Sequence, residues 1–158
     1  MGEKQWQRAR QKDQIQQRRQ DILEGAAAVF EEHSFESVTL AMIARQAGVT
    51  RTNLYRYFST REEIFLTLYM EDLAHWTQYA ESALKGPLSP ETFIQPWVDS
   101  FSDFPRLLRL SPLLAISLEK NSSREFYIQT KQTLSRLMDR IGRLLKSLLP
   151  QLSEQDIL

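Results

Sequence analysis

At 158 residues the chain is long enough to bury one good core, or a small domain beside a larger helical one. Its 20 Lys and Arg balance 20 Asp and Glu, which argues against a ligand captured by bulk charge, and the absence of cysteine removes both a disulfide framework and a zinc–thiolate site. No apolar run approaches a membrane span and the polar start has no signal-peptide pattern, so a soluble, cytoplasmic protein is the expectation.

Residues 1–20 carry Lys4, Arg8, Arg10, Lys12, Arg18 and Arg19 against Glu3 and Asp13. A segment this polar has no core of its own, although its Gln and Arg content suits helix, which predicts a frayed or disordered start merging into a first helix. Its cations suit an arm lying along a phosphate backbone or entering a minor groove, and equally suit a solvated tail; Trp6 is unexplained by either. From about Gln14 to His33, Ile15, Ile22, Leu23, Ala26, Val29 and Phe30 recur in helical rhythm and give that helix a core face.

Residues 38–61, VTLAMIARQAGVTRTNLYRYFSTR, spell two short helices joined by a glycine turn. Thr39 precedes an apolar-periodic run of Leu40, Ile43, Ala44 and Ala47 and is placed to cap it, while Gly48 supplies the left-handed residue that commonly ends a helix. Thr50 offers a second N-cap for a helix expected over Arg51–Phe58, with Leu54 and Phe58 facing inward. The opposite face carries Arg51, Thr52, Asn53, Tyr55, Arg56 and Tyr57, groups that donate to phosphates or base edges, and no acid occurs between Glu36 and Glu62. This is the pattern of a helix-turn-helix whose second helix enters a DNA groove; an ordinary helical hairpin with a basic face is the alternative.

Thr60 with Glu63 has the spacing of a capping box and opens a long helix carrying Ile64, Phe65, Leu68, Leu73 and Trp76 towards Leu84. A helix of that length must leave the first domain, so it is the expected mechanical link to the C-terminal helices. Gly86-Pro87 and Ser89-Pro90 punctuate the next junction, after which Phe93, Trp97, Phe101 and Phe104 repeat at helical spacing, with Pro96 tolerated in the first turns or at a kink. A buried helix is expected from about Pro105 to Lys120, interrupted at Ser111-Pro112 and carrying Leu107, Leu108, Leu110, Leu113, Leu114, Ile116 and Leu118. A breaker at Asn121 to Ser123 precedes a last long helix, about Arg124 to Leu149, with Phe126, Tyr127, Leu134, Leu137, Met138, Ile141, Leu144, Leu145 and Leu148 on one broad face and Pro150 as its stop. Residues 151–158, QLSEQDIL, read as the beginning of another helix cut short, so either Leu137 to Leu149 serves as the self-association face in its place or the given sequence lacks part of the C-terminus. No alternating strand pattern occurs.

The charge is unevenly distributed: residues 1–61 hold ten Lys and Arg against seven Asp and Glu, and residues 62–158 hold ten against thirteen, so positive potential gathers where the hairpin lies. Over Arg18 to about Tyr69 the chain resembles the N-terminal domain of the tetracycline-repressor-like (TetR) family of bacterial regulators, in ILEGAAAVFEEHSFESVTL, MIARQAGVTRTNLYRYF and STREEIF. The resemblance covers about a third of the chain and implies that Arg51 to Phe58 reads the major groove. It further implies phosphate contacts by Thr39, Thr50, Tyr55, Tyr57 and Arg61 and base reading by Arg51, Thr52, Asn53 and Arg56. Three positions depart from the family pattern: Arg61 replaces a usual lysine, keeping the charge; Gly25 replaces an alanine inside the first helix; and Ser34 replaces the glycine after it.

The expected architecture is all-α: an N-terminal three-helix helix-turn-helix domain with its basic arm (residues 1–60), joined by a long helix to a C-terminal helical ligand and dimerisation domain (residues 61–158). The resemblance implies that the second domain encloses a small, largely apolar effector and supplies a homodimer interface. Trp76, Tyr79, Trp97, Phe101, Phe104, Phe126, Tyr127 and Met138 are the candidate lining residues, with His75, Asn121 or tyrosine hydroxyls as polar anchors, although aromatics at helical spacing are also ordinary core. Arg106, Arg109 and Arg124 are candidates for an anionic effector or for plain solvation. One hairpin makes too few contacts for tight specific binding, so a dimer on a palindromic, double-stranded operator is expected. The only histidines are His33 and His75, and no nucleophile, phosphate loop or metal-ligand spacing is evident, so neither catalysis, a metal nor a cofactor is expected. The functional expectation is a DNA-binding transcriptional regulator, in the repressing sense, released by an effector; the alternative is a helical protein-interaction module that retains the fold without effector-controlled DNA binding.

Overall fold

The computed structural model describes residues 2–113 and 123–151, with side chains from residue 11 onward. The described residues form seven α-helices and no strand: α1 (Gly2–Glu32), α2 (Leu40–Gln46), α3 (Arg51–Leu54), α4 (Arg61–Ala83), α5 (Pro90–Asp99), α6 (Pro105–Leu113) and α7 (Arg124–Leu148). They divide into two compact units, residues 1–68 and 69–158, and α4 runs through the division. The boundary read from the sequence, at 60/61, falls at the start of that helix.

In the first unit α1 corrects the expectation of a disordered start, because it is helical from Gly2. The stretch 11–21 has no fully buried residue and adds no apolar side chain to the core. It carries side-chain hydrogen bonds at helical spacing, Gln17 to Asp21 (3.0 Å), Arg18 to Asp21 (3.3 Å) and Gln20 to Glu24 (3.3 Å). From Ile22 onward the helix supplies core: Ile22, Leu23, Ala26, Val29 and Phe30 are buried, together with Ile43 and Ala44 of α2, Leu54 of α3, and Ile64, Phe65 and Leu68 of α4. Ile15, expected on that face, is 49% exposed. The Phe65 ring meets Phe30 at 5.2 Å and Phe35 at 5.3 Å between centroids, both edge-on, and so ties α4 to α1 and to the loop after it.

In the second unit the buried residues include Tyr69, Met70, Leu73, Trp76, Ala80 and Leu84, with Leu107 and Leu110 of α6 and Leu137, Leu144 and Leu148 of α7. Ser89 and Thr92 form a reciprocal capping box at α5 with Pro90 in its first turn, and Ser123 caps α7 through the Phe126 N–H at 3.4 Å. Helix α5 buries none of its own residues and contains Pro96. The bidentate ion pair of Arg106 with Asp72 (2.7 Å for each bond) joins α6 to α4, and Arg140 with Glu81 (3.0 and 2.6 Å) joins α7 to α4. Burial pushes the Tyr69 phenol above its ordinary pKa, and a hydrogen bond with Ser111 acts against that shift. Three expectations lie outside the described residues: the extension of α6 through Leu114, Ile116 and Leu118, the position of Asn121, and a helix opening over 152–158.

Candidate nucleic-acid interface

The hairpin is built from local chemistry. Thr39 has extended backbone (ψ 156°) and its hydroxyl accepts the Met42 N–H at 3.3 Å; Thr50 does the same for Asn53 at 3.1 Å. Between them Gly48 adopts φ +63°, the Gly48 N–H bonds the Arg45 carbonyl (3.2 Å) and the Val49 N–H reaches back to Ala44 (2.9 Å). These paired bonds make a Schellman cap, which stops α2 and turns the chain into α3. Helix α3 proper is shorter than expected, ending at Leu54 instead of Phe58. Residues 55–57 continue as tight turns, because the Leu54 carbonyl is shared by Tyr57 (2.9 Å) and Phe58 (3.1 Å) as the chain bends to bury the Phe58 ring.

Leu54 and Phe58, exposed by only 0% and 2%, hold the element down, each burial stabilising it by about 1.5–3 kcal/mol. That orientation leaves Arg51, Thr52, Tyr55 and Arg56 exposed and Asn53 and Tyr57 half-buried, with Thr39 and Thr50 exposed at the two N-caps. The Arg51 guanidinium donates to the Tyr55 hydroxyl (3.1 Å) and lies 5.7 Å from that ring's centroid, so two of the expected contact residues are coupled before any ligand arrives. Tyr57 lines an open cleft of about 460 Å³ with Gln11, Gln14, Ile15, Gln17, Arg18 and Asp21 of α1.

Arg61 is engaged within the protein itself. Its Nη1 donates to the carbonyls of Phe35 (2.8 Å) and Val38 (2.7 Å), with Glu36 at 3.4 Å, and its Nη2 pairs with Glu62 at 3.1 Å, where the resemblance implies a phosphate. Sequence reasoning also placed Arg19 in the basic arm. In the structure its guanidinium sits 4.8 Å from the Phe58 ring centroid and bonds the Thr67 hydroxyl at 3.4 Å, bracing the hairpin from α1. No local signal reveals an Arg19 partner 48 residues away. Thr60 caps α4 through the Glu63 N–H (3.1 Å), but the Glu63 carboxylate closes on Ser59 N (2.8 Å), one residue upstream of a standard box.

Of the candidate effector residues, Trp76, Trp97 and Phe101 come together: Trp76 stacks on Phe101 at 4.3 Å, meets Trp97 edge-on at 5.2 Å and donates to Ser100 Oγ at 3.1 Å. Tyr79 pairs with Phe104 at 5.8 Å. Phe126 is half-buried on α7, while Tyr127, beside the Lys131 ammonium, and Met138 are exposed there. His75 and Arg124 are exposed, and Arg106 is committed to Asp72. Among the described residues no group of His, Asp and Glu is fit to hold a metal ion, and no helix is long and apolar enough to cross a membrane.

Comparison with known proteins shows the same division. Residues 22–68 match the family described as bacterial regulatory proteins, tetR family, and residues 70–158 match the tetracyclin repressor-like C-terminal domain. The HTH-type transcriptional repressor AcnR of Corynebacterium diphtheriae is 31% identical over 105 residues, covering 63% of this chain and 54% of that protein. The HTH-type transcriptional activator FasR of Mycolicibacterium smegmatis is 26% identical over 88 residues, covering 56% and 40%. This chain therefore spans about half the length of the curated relatives it matches. A TetR family transcription regulator from Marinobacter aquaeolei VT8 shares the fold with a TM-score of 0.54 at 20% identity, over 87% of this chain and 72% of that one. With both halves matched, the chain belongs to the tetR family of bacterial regulatory proteins, a family of regulators and not of enzymes.

Proposed function

We propose that this chain is a DNA-binding transcriptional regulator that represses by holding a palindromic operator as a homodimer and lets go when a small, largely apolar effector binds residues 69–158. The observation that carries the reading is the outward face of α3 and the turn after it: Arg51 and Thr52 on the helix and Tyr55 and Arg56 on the turn are exposed, pinned from behind by Leu54 and Phe58, in a 25-residue stretch without an acid. On this reading Arg51, Thr52, Asn53 and Arg56 face base edges, and Thr39, Thr50, Tyr55 and Tyr57 face phosphate. Repression takes its support from the AcnR relatives, and the FasR relative shows that related regulators also activate. The aromatic group of Trp76, Tyr79, Trp97, Phe101 and Phe104 is the proposed effector region, with Phe126, Tyr127 and Met138 on α7. Effector release is a linked equilibrium, no larger than the effector's differential affinity for the two forms. A cytoplasmic location accords with the same role.

The test is selection of bound duplex from a random-sequence pool by the purified protein. A two-fold-symmetric consensus whose binding weakens steeply with salt is the expected outcome. Failure to enrich any duplex would replace this reading with the helical interaction module.

A further inference from the structure

We propose that Arg61 serves DNA binding as a positioning residue, locking the α1–α2 loop, and does not itself contact phosphate. The inference rests on the DNA-binding reading above and deepens it.

The loop from His33 to Thr39 has few ways to satisfy its own carbonyls. Its internal bonds all gather on Ser34 and Ser37: Ser37 N, Val38 N and the Ser37 hydroxyl donate to the Ser34 carbonyl (3.1, 3.2 and 2.9 Å) and the Ser34 hydroxyl meets that of Ser37 (3.4 Å), while the Phe35 and Val38 side chains are buried at 5% and 1% exposure. The carbonyls of Phe35 and Val38 are taken up by a single nitrogen of Arg61, at 2.8 and 2.7 Å. The same guanidinium lies 4.2 Å from the Phe35 ring centroid, so it holds that residue by carbonyl and ring together. Val38 immediately precedes Thr39, the cap of α2. Fixing the Val38 carbonyl fixes the backbone from which Thr39 presents its hydroxyl and from which α2 starts. Arg61 thus acts through Thr39 and the α2 N-terminus.

Charge points the same way. The other terminal nitrogen of Arg61 pairs with Glu62 at 3.1 Å, and the two side chains are only 23% and 12% exposed. A guanidinium already neutralised by a carboxylate and seated on carbonyls delivers little net charge to a duplex. A lysine presents its donors from one point and has no planar surface, so it could not lie over the Phe35 ring as the guanidinium does while bonding the two carbonyls and Glu62.

Phosphate contact and loop positioning differ in salt dependence, because each neutralised phosphate contributes about 0.9 to the slope of log affinity against log salt. The experiment uses the full chain, its Arg61→Lys and Arg61→Met variants, and the duplex recovered by the wild-type protein from a random pool. Both variants are expected to bind that duplex roughly tenfold more weakly, with the wild-type salt slope intact and with lysine rescuing no better than methionine. A slope that flattens in Arg61→Met and is restored in Arg61→Lys would overturn the proposal, and so would unchanged affinity accompanied only by a lower melting temperature. Should neither variant fold, the side-chain nitrogen resonances of Arg61 in the wild-type protein decide the matter. Resonances unmoved by the duplex support the lock, and resonances shifted by it sink the lock. Failure of the wild-type protein to recover any duplex removes the DNA-binding reading and the proposal with it.

Discussion

A Cβ built on Gly25 would stand 2.9 Å from both the Cβ and the backbone nitrogen of Ala47 and 3.1 Å from its Cα. Glycine there is therefore the condition for α1 and the end of α2 to approach so closely, and no mere weakness in a helix. Helix propensity alone would favour Gly25→Ala by about 0.8–1 kcal/mol. Overpacking against backbone, which cannot rotate away, costs about 1–3 kcal/mol and should win. The expected outcome is a lower denaturation midpoint for Gly25→Ala, and a raised midpoint would show that the helices can part without loss. Ser34 teaches the converse. The family's glycine at that position suggests a left-handed residue, yet no non-glycine residue described has positive φ, and Ser34 instead forms a turn in which the Ser37 hydroxyl donates to the Ser34 carbonyl at 2.9 Å. The substitution is accommodated because this loop closes without a left-handed residue, held from outside by Arg61.

At the scale of the elements, what a residue does to its own neighbours was readable and what it does across the fold was not. Thr39, Gly48, Thr50, Thr60, Ser89 and Ser123 announce helix ends because capping bonds span only a few residues, and each stands at the end its chemistry predicts. Helix over residues 2–13 was legible only in part: the Gln and Arg content suits helix, but the missing core pointed to fraying, and composition does not say which prevails. The Arg61 lock, the Arg19 brace and the Arg106–Asp72 pair link residues 23 to 48 apart, where neither periodicity nor spacing carries a signal. The candidate site was legible to the extent that it is a helix face; its coupling of Arg51 to Tyr55 follows from the four-residue spacing, whereas the bonds of Arg61 to the loop carbonyls do not. The Glu81–Arg140 pair is a further long-range tie, and it can be measured. Hydrogen bonds from Arg140 hold the Glu81 carboxyl below its ordinary pKa. A depressed carboxylate stabilises the fold above its unfolded pKa and loses that contribution as pH falls through the folded value. Both side chains are more than a third exposed, so solvent screening limits the pair to about 0.2–1 kcal/mol. Glu81→Gln should thus cost at most that much at neutral pH, and denaturation curves of variant and wild type should converge below the carboxylate range. A gap that persists in acid would assign the loss to packing.

For the whole molecule, a net charge of zero hides an excess of cations over acids before residue 62 and the reverse beyond it. If affinity for a duplex followed bulk charge, neutralising any cation would weaken it alike; counterion release depends instead on the cations that meet phosphate or lie in its field. Arg56, exposed on the turn after α3, and Arg143, exposed on α7 in the second unit, make a fair comparison because Arg56→Gln and Arg143→Gln change the net charge equally. On the proposed reading Arg56 meets base edges and stands in the field of the flanking phosphates, so binding to the selected duplex should lose part of its salt dependence in Arg56→Gln, less than the about 0.9 of a direct phosphate contact, and should keep it in Arg143→Gln. Titration of each variant across a range of salt concentrations provides the measurement. Equal flattening in the two would mean that the protein meets DNA as a diffuse charge, and the acid-free helix would then have no special claim to the duplex. Flattening confined to Arg56→Gln ties the interaction to one small element, the tight turn that Leu54 and Phe58 hold against the core.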